Sequence, residues 1–418
     1  MYDVIVVGAG ISGLRCAELL SSEGLSVLVI EKNIGTGGSF GENLEGFPEY
    51  HYSKLVLDLP ASPSKELALV FGDGDRKTWS RFRFENPVIR IVKRGSSKDS
   101  LDSNLLERSL RAGTTVSFNE KFSDLNNTKT GGIEVKTTSG ARYESKVLVA
   151  ADGVFSSVKK LASSSKLLGR TEGVGYIAKM KGVVVKSSEI IGIFNYRLAP
   201  GAYCYVIGYP EGDFATVGLT LRPPYTTNAV GEYFHYFVSY VPEILGAAQM
   251  VEETRGFVTL GSRDRKLLWN RSDNAGFNNV IFVGEAGGFQ DPTLAFGLYP
   301  ALHSATLASH FIVRAIKAHN LRILDGYQKV AREELIQDER RKLRFRYLLE
   351  SLSGQEIESL IRALSKQPEK VERMLTTGNY VSNVATTFLK TLIKNPSLLA
   401  IPVKYLQTQR AVHSRDQS

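Results

Sequence analysis

Gly8, Gly10, Gly13 and Glu31 have the types and spacing that could do chemistry near the start of the chain. In the order GxGxxG, the first glycine permits a tight turn, the second lets the backbone approach a pyrophosphate, and the third lets a helix pack close to a strand. Glu31 follows Gly13 by 18 residues, near the spacing of about 20 at which an acid binds ribose hydroxyls. The chemistry implied is dinucleotide binding, with Ile11, Ser12 and Lys32 beside the glycines and the acid. The elements that must position these residues are legible. Asp3 to Val7 reads as a buried strand, Ile11 to about Glu23 as a helix with its positive end toward phosphate, and Ser26 to Ile30 as the strand that delivers Glu31.

Two distant segments have related character. Arg142 to Val149 reads as a strand running into Asp152-Gly153, with Ser156 and Ser157 beyond. Asn279 to Val283 reads as another, followed by Gly284-Glu285-Ala286-Gly287, then Gly297 and a helical pattern from Leu298 to His319. A strand ending in Gly-acid-small-Gly and feeding a helix makes a second site for anions and hydroxyls. Between them, Arg94 precedes a helix start at Leu101, with Asp102 or Ser103 expected as its cap, and Gly113 is expected to begin the next strand.

Taken together, these segments resemble the glutathione-reductase-type flavoproteins of the hydroxylase group. That resemblance implies FAD, with Glu31 on the adenosine ribose, Glu285 on the ribityl or pyrophosphate region, and the backbone of Gly297 and Leu298 on the isoalloxazine. The stretch from Arg94 to Leu105 looks like that group's Arg-x-x-Phe-Asp-x-x-Leu segment with an insertion and Leu101 in place of Phe. It implies Arg94 close to FAD and Phe122 near the adenine. The usual late acid is Asp, and Glu285 is one methylene longer.

The run Ala199-Pro200-Gly201-Ala202-Tyr203-Cys204-Tyr205, continuing to Gly212 and Val217-Gly218, resembles the geranylgeranyl reductase family, FAD enzymes that saturate prenyl double bonds in lipids or pigments. Leu352 to Leu360 and Lys394 to Leu399 look like helical segments of the same family, so the resemblance covers almost the whole chain. Two departures stand out. Phe40-Gly41-Glu42-Asn43 occupies the place of a Cys-Gly-Glu-Gly-like stretch beside the flavin, and Tyr205 occupies a Trp position. The resemblance implies addition of two hydrogens across an isolated alkene, with hydride from reduced flavin and a proton from an acid or ordered water. Electrons would come from NAD(P)H or a ferredoxin. Tyr203 and Tyr205 alternate onto one strand face and could line the channel for the chain. No residue is assigned a catalytic role.

At 418 residues, the chain suits two or three structural units. The expected fold is mixed α/β: a Rossmann-like FAD-binding domain from 1–50, 95–170 and 270–330, a β-sheet substrate domain from 51–94 and 171–269, and a helical carboxy-terminal extension over 331–418. With only Cys16 and Cys204, neither a disulfide framework nor a CxxC metal site can be built, and no metal is expected. The start lacks a signal-peptide pattern and no run of 18 apolar residues occurs, so the expectation is a cytoplasmic protein. From His310 onward, 19 Lys and Arg face 11 Asp and Glu. Phe388, Leu389, Leu392 and Ile393 follow helical spacing beside Lys390 and Lys394. Such a segment could rest on an anionic membrane or pack against the FAD domain, and no nucleic-acid motif accompanies it. Two alternatives stay open: a flavin monooxygenase of small molecules, whose halogenase branch lacks its WxWxIP signature here, and a prenyl-binding carrier on the same fold.

Overall fold

A computed structural model describes residues 1–37, 41–55, 57–73, 76–162, 173–195, 197–199, 202–221, 227–258, 277–291, 295–336, 342, 346 and 352–378. The chain forms two compact units. The first comprises Met1–Glu42, Arg94–Glu172 and Thr259–Glu339, and the second Asn43–Lys93, Gly173–Val258 and Arg340–Ser418.

In the first unit, a seven-stranded sheet places Tyr2–Val7 between Val27–Ile30 and Arg142–Ala150, all parallel. Val280–Phe282 and Thr115–Ser117 extend the parallel part, and Ile133–Thr137 with Phe122–Asn127 adds an antiparallel pair. The runs Val4 to Val7, Val27 to Ile30 and Val147 to Ala150 are continuously apolar because both faces of a parallel sheet are covered. The register aligns Val7 with Ile30 and Ala150, and Ala150 with Phe282. Four strands therefore end flush, and the turns after them leave at one edge, the usual place of a ligand in such sheets.

Helix Ile11–Ser22 packs against Leu101–Arg111 and Leu298–Lys317. Leu14 and Leu20 are fully buried there, and each contributes about 1.5–3 kcal/mol of apolar burial. The cap of Leu101–Arg111 differs from the expectation: Ser100 accepts from the Ser103 amide. Asp102 is not available for that task because Arg94 and the Gly95 amide engage its carboxylate. Gly113 closes this helix in a left-handed turn (φ +98°), and the next strand begins at Thr115.

In the second unit, seven strands run in the order Gln249–Val258, Gly173–Lys181, Phe214–Leu221, Cys204–Gly208, Ile190–Phe194, Glu66–Asp73, Arg76–Arg83. Helix Thr227–Tyr240 covers one face, packing Val230, Phe234 and Phe237 around Tyr176 and Val217. A second core joins Leu67, Ile190, Ile207 and Tyr209 to the small sheet of Asn43–Pro48, Ile89–Arg94 and Ala61–Ser64. It also takes Leu360, Leu364, Val371 and Leu375 from helices Gly354–Ser365 and Pro368–Thr377. Ser353 and Glu356 form a reciprocal capping box at the first of these helices. Phe388, Leu389, Leu392 and Ile393 lie outside the described residues. Among the described residues, no helix is long and apolar enough to cross a membrane.

Candidate functional site

The first glycine turn is sterically dictated. Gly8 has φ +107°, and a Cβ there would stand 2.4 Å from the Ala151 carbonyl oxygen. A Cβ at Gly13 would stand 2.0 Å from the Gly8 oxygen. At Gly10, by contrast, no described residue beyond its chain neighbours and its own helix backbone comes within 4 Å of the Cβ position, so among the described residues the backbone at the head of the helix faces open space. Ile11 and Ser12 are buried in the first helical turn.

Glu31 ends its strand buried, with Oε2 accepting from the Ala9 amide at 2.8 Å and Oε1 from the Asn33 amide at 2.9 Å. A carboxylate has about four lone-pair sites, so the anchored group retains acceptor capacity for hydroxyls. Lys32 beside it is exposed. Glu120 donates its amide to the Glu31 carbonyl, so Phe122 begins its strand two residues past this turn. Phe40 lies outside the described residues. Gly41 is described, with φ +58°.

The distant segments meet the first turn. Ala151 abuts Gly8, and the backbone at Gly284 abuts Ser12, whose Oγ would lie 2.6 Å from a Gly284 Cβ. Ser304 accepts the Gly284 amide at 2.9 Å. Asp152 Oδ2 accepts the amides of Ser157 and Val158 at 2.6 and 3.2 Å, capping helix Ser157–Ala162. Among the described residues, Asp152 Oδ1 is buried with no hydrogen-bond partner, and burial raises its carboxyl above the ordinary range. Gly153 follows with φ +77°, and Glu285 sits partly exposed in the short turn Gly284–Gly287. Gly297 precedes Leu298 at the start of the long helix, where no side chain among the described residues caps the first amides.

Arg94 forms a two-pronged ion pair with Asp102, at 2.8 and 3.1 Å, which fixes its guanidinium. Gly8, Ser12, Glu31, Asp152 and Gly284 are thus brought to one edge, while Arg94 belongs to the anchoring of a neighbouring helix. Sequence reading missed Lys159 and Gln290. Lys159 is largely buried, lowered to about 8 by desolvation against the pull of Asp152, and it donates to the Ala286 carbonyl at 3.3 Å. Gln290 Oε1, buried and without a partner among the described residues, stands against Gly297. Neither carried a signal in sequence, since Lys159-Lys160 reads as an ordinary basic pair and burial is a tertiary fact.

In the second unit, Tyr203 and Tyr205 do share a face. Their rings lie 6.2 Å apart and continue a row through Phe194 to Phe71. Tyr205 lies across Gly218, its cross-strand partner, where a Cβ would meet the ring carbon at 2.3 Å. Desolvation, with Tyr203 and Glu45 nearby, pushes the Tyr205 phenol well up. It is a neutral group that can donate a hydrogen bond and resists ionisation.

A family model described as an NAD(P)-binding Rossmann-like domain matches residues 6–62. The chain is 26% identical to digeranylgeranylglycerophospholipid reductase 2 of Methanothermobacter thermautotrophicus over 96% of this chain and 98% of that one. It is 29% identical to the digeranylgeranylglycerophospholipid reductase of Methanocella arvoryzae over 80% and 83% of the two chains. A geranylgeranyl bacteriochlorophyll reductase-like structure from Thermoplasma acidophilum shares the fold with a TM-score of 0.74 at 19% identity, covering 95% of this chain and 99% of that one. By these long relationships, with the glycine, Asp-Gly and tyrosine segments in place, the chain is similar to the geranylgeranyl reductase family along nearly its whole length.

Proposed function

We propose that the protein is an FAD-dependent reductase that saturates carbon-carbon double bonds of a prenyl chain carried by a lipid or pigment. The observation that carries the cofactor is the convergence of the Gly8, Asp152 and Gly284 turns at one sheet edge. FAD fits these residues: the space beyond Gly10 admits a pyrophosphate, and the anchored Glu31 carboxylate accepts ribose hydroxyls. In this reading the first unit holds FAD, with Ile11, Ser12, Gly153, Glu285, Gly297 and Leu298 around it, and the second unit holds the prenyl chain.

FAD supplies, when reduced, the hydride that an isolated alkene cannot obtain from any side chain. The chain's own residues bind, orient and dry the reactants. The uncapped amides at Leu298 offer hydrogen bonds to an electron-rich group. The row Phe71, Phe194, Tyr203 and Tyr205 offers an apolar wall to a prenyl chain, and the neutral Tyr205 hydroxyl keeps its proton. Electrons would arrive from NAD(P)H or a ferredoxin, and the reductant that bleaches the protein anaerobically identifies which.

The deciding experiment incubates chemically reduced protein with prenyl lipids and measures product mass. Gain of one H2 per saturated bond, in the absence of oxygen, is the expected result. Oxygen-dependent addition to a small molecule would replace this reading with the monooxygenase one. A protein that takes up no FAD would overturn both.

A further inference from the structure

Among the contacts between the converging turns, the Ala151 backbone packs against Gly8, and the Gly284 backbone packs against the Ser12 side chain. A further contact is polar. Lys159, on the helix capped by Asp152, reaches the Ala286 carbonyl inside the turn Gly284–Gly287. Its ammonium also feels the Asp152 carboxylate, one oxygen of which is buried without a hydrogen-bond partner among the described residues. A cation between a carboxylate and a carbonyl is a polar tie that a neutral amine replaces poorly, since charge-assisted hydrogen bonds are about twice as strong as neutral ones.

We propose that Lys159 is a positioning residue that latches the Asp152-Gly153 turn to the Gly284–Gly287 turn and makes FAD retention depend on its proton. The inference rests on the FAD reading above and adds to it a residue and a linkage. Burial lowers Lys159 to about 8, so the ammonium is present below about pH 8 and lost above it. The charged groups on the surrounding elements are Lys160 on the same helix, Glu285 on the latched turn, and Asp124 on the strand Phe122–Asn127 that packs against the helix. Asp124 is engaged by Lys136, and among the described residues the charged group that acts appreciably on Lys159 is Asp152.

The sign of the effect distinguishes a latch from general alkaline loosening. A lysine held below its ordinary value of 10.5 burdens the fold while charged. That burden is lifted as pH rises from about 8 toward 10.5, where the unfolded chain still holds the proton. This group therefore stabilises the apoprotein, relative to its charged form, over the same window in which the latch weakens FAD binding. Because linkage is reciprocal, FAD binding near pH 8 takes up protons.

The test uses the full chain and FAD itself. The dissociation constant is measured by flavin fluorescence from about pH 6.5 to about pH 9.5, with the apoprotein melting midpoint followed in parallel. Wild-type affinity is expected to fall about tenfold through pH 8 while the apoprotein midpoint does not fall. Lys159→Arg, charged throughout, should bind FAD with no step in this window. Lys159→Met should bind about tenfold more weakly at neutral pH, again with no step. A flat wild-type profile, or a variant that reproduces the wild-type step, overturns the latch while leaving FAD binding intact. Absence of FAD binding at every pH overturns the cofactor reading and the latch with it.

Discussion

Glu31 shows how much of the proposed site depends on single groups held from two sides. Its carboxylate is fixed by the Ala9 and Asn33 amides before any ligand arrives, so a ribose would meet an ordered acceptor and lose little to reorganisation. Glu31→Ala removes that acceptor and leaves the Ala9 amide unsatisfied at the mouth of the turn. FAD affinity should drop by about 10–100-fold, the cost of one or two charge-assisted hydrogen bonds. Titration calorimetry of the apoprotein checks this, and unchanged affinity would remove Glu31 from the site. Tyr205 is constrained differently, because it lies where only Gly218 leaves room.

Among the elements, helix Leu101–Arg111 has the most local control. Ser100, fully buried, accepts the Ser103 amide at 3.0 Å and donates to the Gly95 carbonyl at 2.7 Å. Gly95 in turn lies against Gly37, where a Cβ would come within 2.9 Å. One hydroxyl therefore caps the helix and holds the loop that touches the segment after Glu31. Ser100→Ala should cost about 1–2 kcal/mol, read as a lower urea midpoint at unchanged slope. A loss of only a few tenths would show that water replaces the cap. Sequence pointed to Asp102 or Ser103 because both precede the apolar pattern. The competing demand of Arg94 for Asp102 comes from a strand that the chain alone does not place beside it.

For the whole molecule, ligand binding should be a large share of stability. Turns that meet around a cofactor are held by few contacts of their own, and a ligand that binds only the folded state stabilises it by RT ln(1 + [L]/Kd). FAD at about 100 times its Kd should add about 2.7 kcal/mol, seen as a melting midpoint that climbs with FAD concentration. A midpoint indifferent to FAD would contradict specific binding to the native state. The two units need not melt together, since each buries apolar residues of its own, Val4 to Val7 and Val147 to Ala150 in the first and Tyr176, Val217 and Phe234 in the second.

The sequence by itself determined the parts that are short in range. Gly8, Gly10, Gly13 and Glu31 were legible because strand, turn, helix and strand follow one another within one βαβ unit, where spacing fixes geometry. The apolar runs around Val4, Val29 and Val149 were legible as strands, and the structure explains their continuity, since both faces of each strand in a parallel sheet are buried. The alternation of Tyr203 and Tyr205 likewise gave their common face. Tertiary structure alone decided what depends on residues far apart in the chain. It set Gly284 against Ser12, took Asp102 from the cap to Arg94, and buried Lys159 beside Asp152 and Ala286. Periodicity reports which side of an element is apolar, but the partner that covers that side, and any charge trapped beneath it, is fixed only when the sheet register brings distant turns to one edge.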